Sequence, residues 1–251
     1  MSFRDKVAIV TASAGAGIGQ ATVRAFSEAG AKVVISSRRI KRVSQVTEDI
    51  RAHGGEAIGL ECDVTNLDHI KNIVQTTLDK WGRIDILVNN AARQTNSQIV
   101  DMTDEIWNQA YETCLRGTFW CCREVLPIMI SQGYGRIINF SSGTTVQGSP
   151  DGDTHYNAAK SGIQALTKGL SREVARYGIT VNCISPGLIW NDFLAKVGYS
   201  EEKWEEWRKA IPVQRAGSPE EVAALVLFLA SNDANFITGQ NIQINGGSIV
   251  I

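Results

Sequence analysis

The sequence lacks any hydrophobic run of the roughly 18 or more residues that a membrane-spanning helix needs, so no segment is predicted to cross a bilayer. It also lacks a dominant charge, because 25 Lys and Arg residues nearly balance 26 Asp and Glu residues for a net charge of −1. Such a balance argues against a nucleic-acid partner and against binding to an acidic membrane surface. We therefore expect a protein that binds neither.

Cysteine is scarce, and the spacing of the cysteines predicts neither a disulfide framework nor a zinc site. The five cysteines are Cys62, Cys114, Cys121, Cys122 and Cys183. Their number is odd, two are adjacent, and none has the Cys-x-x-Cys spacing of zinc sites, so neither disulfides nor a metal site is expected. The first predicted strand follows Met1 within a few residues and leaves no room for a signal peptide, which favours a cytoplasmic protein.

Short apolar runs alternate with helix-length stretches along the whole chain. Seven such runs lie at 7–10, 33–35, 57–60, 84–88, 137–140, 179–181 and 242–244. The first three are typical of strands buried on both faces of a parallel sheet. The sequence therefore predicts an α/β fold with a doubly wound, Rossmann-type parallel sheet of about seven strands and helices on both faces. No linker or repeat divides the chain, so residues 1–251 are expected to form a single domain.

One segment, at about 190–211, interrupts this alternation. It is rich in aromatic residues, and Trp204, Trp207 and Ile211 have the spacing of one face of a short helix. Ser200 is the predicted N-cap of that helix, and Glu201 and Glu202 suit its first turn. The segment is interpreted as a small helical insertion.

A glycine-rich stretch follows the first predicted strand and leads directly into a helix. Small residues at this place let the backbone approach a pyrophosphate, whose charge the helix N-terminus stabilises. The stretch predicts a dinucleotide site, with a tight structural turn as the alternative. The candidate cofactor-binding residues are Thr11, Ser13, Gly15, Gly17, Ile18 and Gly19.

The end of the second predicted strand indicates which nucleotide binds. NAD(H)-binding proteins carry an acid about 20 residues beyond the glycines, but here Ser37, Arg38 and Arg39 occupy the position. Arginine beside a hydroxyl group suits a 2′-phosphate, so NADP(H) is favoured over NAD(H), with a solvated helix start as the alternative. Further candidates, which turn chemistry would explain equally well, follow the third and fourth strands: Asp63, Val64, Asn90 and Ala91.

Tyr156 and Lys160 are four residues apart, which in a helix places the phenol and the ammonium on one face. A free phenol has a pKa of about 10, too high for acid/base work at neutral pH. A fixed ammonium and a cationic nicotinamide ring would both favour the phenolate and lower that pKa. Ser142, at the end of the fifth predicted strand, offers a hydroxyl group that could hold a substrate oxygen.

Together these elements resemble the short-chain dehydrogenase/reductase family over the entire chain. The resemblance includes the Asn-Asn-Ala run at 89–91, the motif Asn-Cys-Ile-Ser-Pro-Gly at 182–187, Ile-Thr-Gly-Gln at 237–240 and Asn-Gly-Gly at 245–247. It implies that Tyr156 exchanges the proton, that Lys160 holds the nicotinamide ribose and lowers the pKa of Tyr156, and that Ser142 orients the substrate oxygen. The same resemblance implies that the nicotinamide is lined by Pro186, Gly187, Ile189 and Asn191, and that the 190–211 insertion is a substrate lid.

The chain departs from the family pattern at several positions. The glycine loop is one residue longer than usual and has Ala12 for Gly, Ala92 replaces another Gly, and Asn191 replaces Thr. Ser142 lies 14 residues before Tyr156, one more than usual, so Ser141 is an alternative to it. Cys114 stands where the family has the Asn of its catalytic tetrad, and a thiol is a weak hydrogen-bonding substitute.

The leading hypothesis is an NADP(H)-dependent oxidoreductase that transfers a hydride between the nicotinamide and a carbonyl or secondary alcohol of a small or medium, apolar substrate. A 3-oxoacyl-thioester reductase is one alternative. A catalytically impaired NADP-binding sensor is another, suggested by Cys114. The helix predicted at 118–130 is apolar on nearly all faces, and the resemblance implies a homotetramer, with a dimer next.

Overall fold

The computed structural model describes residues 1–190 and 201–250, except for the side chain of Lys203. Within these residues, seven strands form one sheet in the order β3-β2-β1-β4-β5-β6-β7, and every neighbouring pair is parallel. The strands are β1 Val7–Val10, β2 Lys32–Ser37, β3 Ala57–Glu61, β4 Ile86–Asn89, β5 Gly135–Phe140, β6 Ile179–Pro186 and β7 Asn241–Ile244. The predicted doubly wound sheet is confirmed.

Helices connect these strands. They are α1 Ile18–Glu28, α2 Ile40–Ala52, α3 Leu67–Trp81, α4 Asp104–Ala110, α5 Gly117–Gln132, α6 Thr144–Gln147, α7 Thr154–Val174, α8 Glu201–Ala210 and α9 Pro219–Ala230. A π-helical segment, Tyr111–Arg116, joins α4 to α5 without a break. In the described part of the chain, no helix is both long and apolar enough to cross a membrane.

The core has two layers because alternate strand residues point to opposite faces of the sheet. In β1, Ala8 and Val10 pack into one apolar cluster with residues of α1, α2 and α9. Ile9 packs into the other cluster, with residues of α3, α5 and α7. Helices therefore cover both faces of the sheet.

Helix caps define where two of the covering helices begin. Asn66 accepts a hydrogen bond from the Asp68 backbone N–H at 2.9 Å and caps α3. Ser218 caps α9 in a capping box with Glu221, and Pro219 follows it in the first turn. These caps satisfy backbone N–H groups that a helix N-terminus otherwise leaves without partners.

The strand order reverses between β1 and β4, since β2 lies on one side of β1 and β4 on the other. In open α/β sheets, ligands bind outside the carboxyl ends of the strands at such a switch point. The loops that follow β1 to β6 lie at this edge and carry most of the candidate residues, whereas Tyr156 and Lys160 lie on α7.

Candidate active site

The loop between β1 and α1 is held by groups at the end of β4. Thr11 Oγ1 accepts hydrogen bonds from the backbone N–H groups of Asn90, at 2.9 Å, and Ala91, at 3.1 Å. The Asn90 amide donates to the carbonyl oxygens of Thr11 and Ala12, at 3.0 and 3.1 Å. Thr11 and Asn90 thus support the shape of the glycine-rich loop at the switch point.

Two other residues of the loop are also set by protein contacts. Ser13 is fully buried; its hydroxyl group donates to the Val10 carbonyl at 2.8 Å and accepts from the Ser36 N–H at 3.1 Å. At Gly19, a Cβ atom would lie 2.5 Å from Asn90 Nδ2 and 2.8 Å from the Ala12 carbonyl oxygen. Gly19 therefore lets α1 approach β4 closely. Gly17 is the N-cap of α1, whose first residue is Ile18. Because glycine has no side chain, no side chain of the N-cap residue bonds to the first turn of the helix.

Ala12 adopts a left-handed backbone conformation, with φ of 51°. A side chain in this region costs about 1–2 kcal/mol relative to glycine. Glycine, however, loses more entropy on folding, by roughly 0.4–1 kcal/mol. We therefore expect Ala12→Gly to raise the free energy of unfolding by about 0.5–1 kcal/mol, measured by urea denaturation. A loss of stability would show that contacts of the Ala12 methyl group outweigh the backbone strain.

A cavity of about 200 Å³ opens beside this loop at the ends of β2 and β3. Its lining contains seven of the predicted cofactor-binding residues: Gly15, Ser37, Arg38, Arg39, Asp63, Val64 and Ala91. Arg42 lines it as well. The sequence patterns did not single out Arg42, although in a helix starting near Ile40 its position brings it back toward Arg38.

The charges around this cavity are strongly positive. Arg38, Arg39 and Arg42 are exposed, and within the described residues none of them has a carboxylate within ion-pair distance. Burial would raise the pKa of Asp63, but two hydrogen bonds from Thr65 and the charges of Arg38 and His69 outweigh it and lower the pKa. Asp63 is therefore an ionised acceptor facing a surface of three cations.

A second cavity, of about 630 Å³, lies beyond the ends of β5 and β6. Ser142, Pro186 and Gly187, which the resemblance assigns to the substrate and the nicotinamide, line it. Ile189 is instead buried and bridges to Gly217, which places its side chain in the core cluster that includes α9. Asn191 falls outside the described residues.

The lining of the cavity combines polar and apolar side chains. The polar ones include Gln94, Asn96, Gln147, Asp151 and Asp153, none of which the sequence patterns singled out. The apolar ones include Leu188, Trp207, Ile211 and Ile249. The predicted helix of the insertion is present as α8, whose Trp204 ring lies 4.8 Å from that of Trp190 and 5.3 Å from that of Trp207. Its predicted cap, Ser200, lies outside the described residues.

The structure brings Ser142, Tyr156 and Lys160 together at the end of β5. Tyr156 and Lys160 lie one turn apart on α7, with the ammonium 5.5 Å from the centre of the phenol ring. The buried ammonium donates to the Phe140 carbonyl oxygen at 2.7 Å, which ties α7 to the last residue of β5. Ser142 lies close enough to Tyr156 for its hydroxyl group to lower the pKa of the phenol.

Ser141 does not offer its hydroxyl group to this cluster. It is buried, donates to the Lys160 carbonyl oxygen at 3.1 Å, and accepts from the Gln164 amide at 2.8 Å. Ser142 is the serine that lies beside Tyr156, so the extra residue between Ser142 and Tyr156 is absorbed by the intervening loop and α6.

Burial raises the pKa of the Tyr156 phenol above its ordinary value. The Lys160 ammonium and the Ser142 hydroxyl group act in the opposite direction without outweighing burial. Burial lowers the pKa of Lys160, but Tyr156, Cys114 and Cys183, which become negative on ionisation, together outweigh burial and the net pKa is raised. Without a cofactor, the phenol is therefore protonated and the ammonium charged at neutral pH.

Cys114 lies in the π-helical segment and is fully buried. It packs with Tyr156, Ala159, Ile163 and Cys183. Its sulfur is 3.7 Å from the Arg93 carbonyl oxygen, within reach of a weak hydrogen bond. Burial raises the pKa of the Cys62, Cys122 and Cys183 thiols to about 12, which leaves them un-ionised at neutral pH.

Comparisons with known proteins agree with this arrangement. A family model described as enoyl-(acyl carrier protein) reductase matches residues 12–248. The 3-oxoacyl-[acyl-carrier-protein] reductase of Synechocystis is 38% identical over 98% of this chain and 97% of its own. The (2S)-[(R)-hydroxy(phenyl)methyl]succinyl-CoA dehydrogenase subunit BbsD of Thauera aromatica is 34% identical over 98% of both chains. The crystal structure of a proposed gluconate dehydrogenase from Agrobacterium tumefaciens superimposes with a TM-score of 0.92 at 31% identity, covering 98% of this chain and 97% of the other.

Fold, site and relatives define an oxidoreductase built on a Rossmann-type sheet. More narrowly, the chain belongs to the short-chain dehydrogenase/reductase family. Membership in this family implies a nicotinamide cofactor and a small-molecule substrate.

Proposed function

We propose that this protein is an NADP(H)-dependent carbonyl reductase or alcohol dehydrogenase with Tyr156 as its general acid/base. The observation that carries the proposal is the meeting of Ser142, Tyr156 and Lys160 beside the 630 Å³ cavity. The smaller cavity, whose lining includes Arg38, Arg39 and Arg42, lies beside the glycine-rich loop at the switch point, where these residues would hold the nucleotide part of the cofactor.

The residues present fit the cofactor on two points. A Cβ at Gly15 would meet no atom within 4 Å, so the backbone there is open to a pyrophosphate. The three arginines supply positive charge where the 2′-phosphate of NADP(H) would lie, and no acid at the end of β2 is available for a free 2′-hydroxyl.

Each catalytic side chain has a distinct role in the proposed reaction. The nicotinamide supplies or accepts the hydride when bound. The protonated Tyr156 phenol donates its proton to the substrate oxygen in reduction and recovers it in oxidation. Ser142, which lies beside Tyr156 and lines the larger cavity, orients the substrate oxygen through its hydroxyl group. Lys160, anchored on the Phe140 carbonyl oxygen, keeps a positive charge close to the phenol and holds the nicotinamide ribose.

The charge and polarity of the lining of the larger cavity limit the class of substrate that it can bind. No lysine or arginine belongs to the described lining, whereas Asp151 and Asp153 do, so an anionic substrate group is repelled. Because Trp207 and Ile211 also line the cavity, the substrate that fits is uncharged and amphipathic rather than purely apolar. The names of the relatives favour a second candidate, a 3-oxoacyl-thioester reductase, whose anionic carrier would have to bind outside the cavity. Arg208, on helix α8 of the insertion, is a cation that could attract such a carrier, but it is already paired with Glu201 and Glu205.

Turnover of two probes with NADPH tests the proposal. We expect ethyl acetoacetate, an uncharged 3-oxoester, to be reduced, followed by the loss of NADPH absorbance. Reduction of acetoacetyl-CoA with kcat/KM at least about 100-fold higher would instead support the thioester reductase, because the shared acyl group cannot explain such a difference. Tight NADPH binding without turnover of either probe or of a wider ketone panel would favour the impaired sensor.

We also propose a homotetramer, with a dimer as the next candidate. Phe119 and Ile130, both on α5, are exposed, as are Phe236 and Val250 near β7. Apolar side chains at two separate places suit two different contacts between copies of the chain. Light scattering after gel filtration gives the number of chains directly.

The predicted cytoplasmic location stays a prediction.

A further inference from the structure

Within the described residues, one oxygen atom of the Asp153 carboxyl group accepts no hydrogen bond from another residue. Asp153 is the N-cap residue of α7, yet its side chain makes no capping hydrogen bond to the first turn of that helix. Asn157 Nδ2 donates to its Oδ1 atom at 3.0 Å. The Oδ2 atom of Asp153 is therefore left as a free acceptor.

This free acceptor belongs to a nearly buried side chain beside the substrate cavity. Asp153 is only 2% exposed, and it lines the 630 Å³ cavity together with Ser142. Its Oδ2 atom is not one of the unpartnered atoms that are sealed from solvent, so it borders the open space that Asp153 lines. Tyr156 follows three residues later, which puts both side chains on the same side of α7. The acceptor therefore lies near the reacting end of the cavity.

Two loops that pack tightly on each other hold Asp153 in place. The Ser97 backbone N–H donates to the Gly152 carbonyl oxygen at 2.7 Å, and the Gln98 amide donates to the Pro150 carbonyl oxygen at 3.0 Å. Gly152 has a φ of 78°, and a Cβ atom there would lie 2.7 Å from the Ser97 carbonyl carbon. Both the conformation and the close approach require glycine. The carboxyl group is thus positioned before any substrate binds.

A nearly buried acceptor without a partner favours a ligand that brings a donor. Leaving such an oxygen unpaired costs free energy, which a hydrogen bond from the ligand recovers. Burial raises the pKa of Asp153, and the hydrogen bond from Asn157 offsets only part of this rise. A donor on Oδ2 would stabilise the same carboxylate.

The other polar side chains of the lining indicate which donor fits. Gln94, Asn96 and Gln147 are neutral amides, which both donate and accept hydrogen bonds. A hydroxyl group also does both, whereas an ammonium group only donates. A hydroxyl group therefore matches this lining better, in agreement with an uncharged substrate.

We propose that Asp153 is a specificity-determining residue whose Oδ2 atom accepts a hydrogen bond from a hydroxyl group of the substrate, a few bonds away from the reacting carbonyl group. This inference deepens the proposed function and rests on it in taking the larger cavity as the substrate site. The substrate class that it names is a neutral hydroxyketone, or in the reverse direction the corresponding diol. The hydroxyl group that Asp153 binds takes no part in the hydride transfer.

The first test uses the original protein and probes that differ in one group. 4-Hydroxy-2-butanone carries the donor, and 4-methoxy-2-butanone replaces the donated hydrogen with a methyl group; hydroxyacetone and methoxyacetone form a second pair with a shorter chain. Saturation-transfer NMR gives the Kd of each probe with NADP⁺ present, since NADP⁺ cannot reduce a ketone. We expect the hydroxyketone to bind at least about tenfold more tightly than its ether in one pair or both. Equal affinities in both pairs would overturn the inference.

Asp153→Asn tests whether the free oxygen causes this preference. The amide oxygen can still accept from Asn157, so the NH₂ group takes the place of Oδ2 and offers a proton instead of lone pairs. An ether oxygen can accept that proton as a hydroxyl oxygen can. The affinity ratio between hydroxyketone and ether should therefore fall by about fivefold or more. A fall of less than about twofold would show that the shape of the cavity selects the hydroxyl group, and would refute the role of Asp153.

Asp151→Asn is the matched control for this substitution. Asp151 is a second acid of the same lining, so its substitution removes the same charge. Asp151 is exposed, however, so water can satisfy its oxygen atoms. The affinity ratio should keep its original value in Asp151→Asn. An equal fall in both variants would mean that the negative charge of the lining, and not the free oxygen of Asp153, sets the preference.

Turnover of the same probes with NADPH keeps this inference apart from the proposed function. A protein that reduces no ketone but binds the hydroxyketone with a preference that Asp153→Asn removes would contradict the proposed function and support the role of Asp153. A protein that reduces both members of each pair with equal kcat/KM and binds them equally would support the function and refute the role of Asp153.

Discussion

Tyr156→Phe should lower kcat by about 10³-fold or more while leaving the Kd for NADPH within about twofold of its original value. The substitution removes one oxygen atom, the one that exchanges a proton with the substrate in the proposed mechanism. The ring stays and continues to pack against Ala159 and Ile163, so the cluster around it is preserved. Steady-state turnover of the active probe gives kcat, and quenching of protein fluorescence by NADPH gives the Kd.

Tyr177→Phe is the matched control for this prediction. Tyr177 follows α7 in the 3₁₀ turn Ala175–Tyr177, which leads into the start of β6, whereas the active site lies at the carboxyl ends of the strands. Both kcat and Kd should stay at their original values there. If Tyr156→Phe kept more than about a tenth of kcat, another group would have to deliver the proton, and the assignment of Tyr156 would fail.

The seven strands and the place of the ligand edge could be predicted from the sequence, because buried parallel strands are short apolar runs that alternate with helices, and such sheets bind ligands at the carboxyl ends of their strands. The structure confirms each of the seven runs as a strand and places the glycine-rich loop at the switch point. The positions of strands and helices along the chain depend on the local hydrophobic pattern, and they can therefore be predicted without the long-range contacts.

Side-chain partnerships could not be predicted in the same way, because they depend on contacts between distant segments. Ser13 looked like a ligand-binding residue, yet its hydroxyl group is used by the backbone of β1 and β2. Asn157 is next to Tyr156 in the sequence but belongs to no recognised motif. Its hydrogen bond from Thr144 forms only because α6 packs on α7. The pKa of Tyr156 likewise depends on burial, which outweighs the Lys160 charge that the four-residue spacing made visible.

Arg38→Asp should weaken NADPH binding by about 100-fold and change NADH binding by no more than about threefold. Arg38 lines the nucleotide cavity with Arg39 and Arg42 and, in the described structure, has no carboxylate at ion-pair distance. A lost charge-assisted hydrogen bond costs about 1.5–3 kcal/mol, and repulsion between the new carboxylate and a 2′-phosphate adds about 1 kcal/mol. Since about 1.4 kcal/mol is tenfold in affinity, the sum corresponds to about 100-fold or more. Titrations of both cofactors at one ionic strength measure the ratio.

Lys41→Asp separates the local contact from the change in net charge. Lys41 is exposed in the first turn of α2, only three residues from Arg38, but it does not belong to the cavity lining. Both substitutions change the net charge by the same amount, so a long-range field would affect them alike and would fade with added salt. NADPH affinity should therefore fall much less in Lys41→Asp. Equal losses of NADPH and NADH in Arg38→Asp would contradict the 2′-phosphate assignment, because only NADPH carries the group that Arg38 is proposed to bind.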